Sequence, residues 1–94
     1  MEYEKLIGRI AADKDSRKLG KIVKIEKIQD RKTKILKPHV LIKVRKIFRQ
    51  DIIVVVDATK ILKSDDFHVW FDITKDEFET EVRETRALMY LYSD

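Results

Sequence analysis

Ile52 to Glu79 reads IIVVVDATKILKSDDFHVWFDITKDEFE, and this stretch decides the fold. An apolar run, Ile52 to Val56, stops at Asp57-Ala58-Thr59, and Ile61-Leu62 follow before a polar turn at Ser64-Asp65-Asp66. Val69, Phe71 and Ile73 then alternate with His68, Trp70 and Asp72, the period of a strand with two unlike faces. Thr74-Lys75-Asp76-Glu77 has the pattern of a capping box, hydroxyl and carboxylate each placed for the other's amide. The order predicted is strand, short connector, strand, capped helix. It contains no catalytic constellation, so it points to contact rather than chemistry.

Working outward, Lys75 to about Tyr90 reads as a helix with Phe78, Val82, Thr85, Met89 and Tyr92 on one stripe. Upstream, Val40, Ile42 and Val44 share one strand face, with Leu41, Lys43, Arg45 and Ile47 on the other. Pro38 lacks a donor and suits a strand start or edge. Asp30 to Lys34 is a charged hairpin turn. Lys21 to Gln29 reads two ways, because Ile22, Ile25 and Ile28 sit at spacing three while Val23 and Ile25 alternate with lysines. The turn before it and its β-branched content favour a strand with an irregularity. Leu6, Ile7 and Ile10 to Ala12 form a strand candidate, with Gly8 marking a bulge or close approach and Gly20 available for positive φ. The expected fold is all-β: a small barrel of five to six short antiparallel strands over about residues 5–73, then a helix over about 75–91.

The 94 residues make one domain, 1–94, 44% hydrophobic and 40% charged: enough for one core under an ionic surface. There is no cysteine, hence no disulfide framework and no thiolate metal ligand. The start, Met1-Glu2-Tyr3-Glu4-Lys5, is acidic before it is apolar, unlike a signal peptide, and the longest apolar run is too short for a membrane span. The expected setting is cytoplasmic. Residues 1–50 carry sixteen Lys and Arg against six Asp and Glu, while residues 51–94 carry five against eleven. Such asymmetry fits a basic face for nucleic acid, or two faces that attract each other between subunits.

Two elements resemble the PRC-barrel family, named after the photosynthetic reaction centre H subunit and shared with the C-terminal domain of small-subunit ribosome maturation factors. Leu6-Ile7-Gly8-Arg9-Ile10-Ala11-Ala12-Asp13, a polar turn, then Lys18-Leu19-Gly20-Lys21-Ile22-Val23 looks like the family's opening strand, acidic turn and glycine-lysine strand start. Asp57-Ala58-Thr59-Lys60-Ile61, then Val69 to Phe78, resembles the closing hairpin and final turn of stand-alone archaeal members. The matches cover most of residues 6–79. Lys34 to Gln50 is longer and more basic than the family's central hairpin, and the helix past Phe78 is an extension. The resemblance implies a non-enzymatic adaptor that binds other proteins, in archaeal cell division for stand-alone members. The alternative is an RNA- or ribosome-associated assembly factor using the basic half.

Each candidate residue has a bland counterpart. His39 and His68 lack metal-ligand spacing and read as polar strand residues; no metal, cofactor or catalytic residue is assigned. Asp57, Asp65 and Asp66 read as turn formers. Lys43, Arg45, Lys46 and Arg49 form the basic face, either a solvated strand or a phosphate-binding series, with Phe48 the one aromatic among them. Trp70, on the polar side of its strand, is either covered by the helix against Phe78 or Val82, or an exposed partner anchor together with Phe48. Ala87 to Tyr92 is apolar all round, so Leu88, Met89, Leu91 and Tyr92 are expected at a homodimer contact unless the terminus frays.

Overall fold

The computed structural model describes residues 3–44 and 52–92, the side chains of 84–92 excepted. Among these residues are six strands and one helix: β1 (Ile10–Ala12), β2 (Lys18–Gln29), β3 (Leu36–Val44), β4 (Ile52–Asp57), β5 (Ile61–Ser64), β6 (His68–Phe71) and α1 (Lys75–Tyr92). Tyr3–Leu6 is a 3-10 turn, so the first strand is shorter than its apolar residues suggest.

The strands form one sheet in the order β4-β3-β2-β1-β6-β5. The expected all-antiparallel pairing fails at one place, because β1 and β6 run parallel. Counting chain reversals explains it. The links β1–β2, β2–β3, β3–β4 and β5–β6 each reverse the chain. The link from β4 to β5 does not: it is a single 3-10 turn, Ala58–Lys60, flanked by extended backbone at Asp57 and Ile61. Four reversals bring β6 back to the direction of β1.

That link also bends the sheet. Six flat strands would separate the two edges by about 24 Å. Asp57 and Ile61 are four residues apart, and four residues reach at most about 14 Å. The sheet must therefore curl until the end of β4 approaches the start of β5. The hydrogen-bonded ladder itself remains open, with β4 and β5 as its edges.

Curling makes one concave face, and the core fills it. Ile22, Val40, Ile42, Val54, Val69 and Phe71 point inward, and Phe78 and Val82 of α1 join them. Burying each such side chain stabilises the fold by about 1.5–3 kcal/mol. The spacing of three in β2 has a physical cause: the ladder slips between Ile22 and Lys24, so Val23 is a bulge that returns Ile25 to the inner face opposite Val40. Pro38 pairs with Lys27 on β2, while pairing with β4 starts only at His39, so its missing donor is not needed on that side.

The two glycines exchange the roles expected of them. Gly8 has φ of 95° and open space around it, so it serves the turn into β1. At Gly20, β2 lies close against β3. A Cβ there would run into the Lys43 carbonyl oxygen and stand 2.9 Å from Ile42 Cγ2.

Candidate interaction surfaces

Strand parity sorts the outward side chains into one continuous face. Lys43 pairs with Lys21, Lys21 with Ile10, and Ile10 with His68, giving a row across β3, β2, β1 and β6. The neighbouring row is Lys18, Ala12, Trp70 and Lys63, from β2, β1, β6 and β5. Ala12 is buried yet lies outside the core cluster, as expected of a small residue beneath a large outward neighbour. Lysines of the basic half thus meet the aromatic strand of the acidic half.

Trp70 is half-buried, and its ring meets Ser16, Lys63 and His68. Its Nε1 donates to Ser16 Oγ at 3.0 Å. Ser16 has a φ of 67°, a left-handed conformation imposed by the tight turn between β1 and β2. The ammonium of Lys63 lies 4.7 Å from the indole centroid, and the His68 ring is tilted 31° to it at 5.5 Å. Phe78 and Val82 belong to the inner core with Val69 and Phe71. The helix therefore packs on the side of the sheet opposite to Trp70.

A second feature is the groove between β4 and α1. Its volume is about 270 Å³, with Val55, Val56, Ile73 and Phe78 as apolar lining and Asp57, Lys60, Glu77 and Glu81 as charged lining. Sequence reading takes Ile52 to Val56 as one apolar run without dividing it between two faces, and misses this surface. A strand alternates sides, so five consecutive apolar residues put two outward, Ile53 and Val55, the latter 46% exposed.

One polar residue was also missed. Asp13 is fully buried, and its carboxylate ties together three parts of the chain. Oδ1 accepts from the amides of Asp15 at 2.9 Å and Arg17 at 2.7 Å. Oδ2 accepts from Arg17 Nε at 3.0 Å and from the amide of Lys75, at the start of α1, also at 3.0 Å. Burial pushes this carboxyl up, but the two turn amides and the guanidinium outweigh it and hold the carboxyl below its ordinary range. The helix N-terminus favours the same charge. Half of the predicted capping box is present, since Thr74 Oγ1 accepts from the Glu77 amide at 3.1 Å. Asp13 supplies the other acceptor at this helix start. The spacing Asp13 to Arg17 hints at an Asx turn, but no local signal reaches Lys75.

The remaining candidates are ordinary in their surroundings. His39 Nδ1 lies 2.9 Å from the Lys37 carbonyl, with Nε2 4.0 Å from Asp57, and His68 Nδ1 lies 3.6 Å from Asp65. Asp57 caps the 3-10 turn through the Thr59 amide, and Asp65 accepts from the amides of Phe67 and His68. Among the described residues no cluster of three or more His, Cys, Asp or Glu could hold a metal, and no helix is long and apolar enough to cross a membrane. Lys43 lies on the outward face. Arg45, Lys46, Phe48 and Arg49 lie outside the described residues, as do the side chains of Leu88, Met89, Leu91 and Tyr92. No family model and no curated protein matches this chain.

Proposed function

We propose that this chain is a non-enzymatic adaptor of the PRC-barrel type that acts by protein–protein contact in the cytoplasm. The proposed setting is archaeal cell division, with docking to division-ring proteins. The path of the chain supports the barrel reading: β4 and β5 keep one direction through a short corner, and their edges curl towards each other. The resemblance of the opening and closing elements supplies the process.

The single observation that carries the contact reading is the groove beside β4. Its apolar lining can take a side chain from a partner, and exposed apolar groups rimmed by charge are a common form of protein-binding site. Three acidic groups against one lysine in that lining favour a partner segment whose apolar residue is flanked by cations. Affinity capture from an archaeal extract, read by mass spectrometry, tests this. Division-ring proteins are the expected catch. Recovery of ribosomal proteins alone would remove the division assignment.

A further inference from the structure

We propose that the outward face of β3, β2, β1, β6 and β5 binds single-stranded RNA, independently of the groove beside β4. Two observations carry it. The first is charge: Lys18, Lys21, Lys43 and Lys63 share this face, within five strands that span about 20 Å. Phosphates follow such a lysine-lined surface because binding them releases counterions. The second is an aromatic side chain among those cations. Single strands are held by stacking bases on aromatic rings, and a sheet surface presents such rings flat and at fixed spacing.

Trp70 meets that requirement. Its hydrogen bond to Ser16 fixes the indole against the sheet, over the small residue Ala12. Lys63 occupies the position above the ring that a base would take. Its four-carbon stem lets the ammonium turn aside and follow the phosphate while the base stacks in its place. His68 favours RNA over DNA. It stands beside Trp70, and the ring nitrogen that does not face Asp65 can bond a ribose 2′-hydroxyl, the group that distinguishes RNA.

Trp70 is the only tryptophan in the chain, so its own emission reports on stacking. The probe is a fluorescein-labelled twelve-nucleotide oligouridylate, titrated with the whole protein. Anisotropy should rise and Trp70 emission should fall together. With four phosphate contacts, affinity should drop roughly fifty-fold between 50 and 200 mM salt. The double variant Lys18→Glu, Lys21→Glu, at two exposed positions, should bind at least tenfold more weakly, and Trp70→Phe should keep the fold while weakening binding. No binding at 50 mM salt overturns the proposal, as does binding that leaves Trp70 emission unchanged. Equal affinity for the matching deoxyoligonucleotide overturns the choice of RNA. A protein from the capture experiment that quenches Trp70 where oligouridylate does not would give this face to protein instead.

Discussion

Asp13→Ala is expected to lower the melting temperature by roughly 15 °C, from a loss of about 3 kcal/mol in a domain of this size. The substitution leaves the amides of Asp15, Arg17 and Lys75 without the carboxylate they share, and Arg17 with only its longer ion pair to Asp15. It also removes a negative charge from the start of α1. Asp13→Asn keeps one carbonyl acceptor and should lose about half as much. Acid should reveal the same group. The folded pKa of Asp13 is lowered, so its contribution is complete above the unfolded value of about 3.9 and fades as pH falls through the folded value. Stability of the wild type should therefore fall on acidification, and that of Asp13→Ala less steeply. Thermal melts followed by circular dichroism at neutral and acid pH measure both. A loss under about 1 kcal/mol, or parallel acid profiles, would contradict this role.

Gly20→Ala should cost about 2–3 kcal/mol, although the added methyl is small. The Lys43 carbonyl that it meets is backbone inside the β2–β3 ladder and has no flexible end to move aside. Relief requires β3 to back away from β2, which loosens Ile42 against Ile22 in the core. Urea denaturation should show the lower midpoint, and amide exchange should quicken first between Lys21 and Lys43. Gly8→Ala is strained by its positive φ but meets no neighbour, so its exchange pattern should change only at the turn. A Gly20→Ala protein with unchanged midpoint would mean that the strands are further apart than described.

Local patterns in this chain were readable where one residue's neighbours in sequence are also its neighbours in space. The alternation of Val69 and Phe71, the inward triplet Val40, Ile42 and Val44, and the irregularity at Val23 all follow from strand parity. The Thr74 cap was readable for the same reason. The parallel pairing of β1 with β6 was not, since it depends on whether Ala58–Lys60 reverses the chain, and a three-residue connector permits either outcome. Asp13 was hidden because its decisive partner is sixty-two residues away. The candidate surfaces divided in the same manner. Trp70 was singled out for its strand side, but its lysine neighbours on three other strands emerge only from the sheet order. Val55 was absorbed into an apolar run whose outward members are set by register against Leu41.

The claim that this chain works by contact at the groove beside β4 is tested most directly by titration calorimetry with the protein recovered by capture. Wild type is compared with Val55→Lys and Lys63→Glu. Val55 is exposed and Lys63 is exposed, so both variants should keep wild-type stability within about 0.5 kcal/mol. A lysine in place of Val55 puts a charge into the apolar lining of the groove, whereas Lys63 lies on the opposite edge strand. The predicted result is an affinity at least tenfold weaker for Val55→Lys, about 1.4 kcal/mol, with Lys63→Glu unchanged. Equal binding by Val55→Lys and wild type would contradict it.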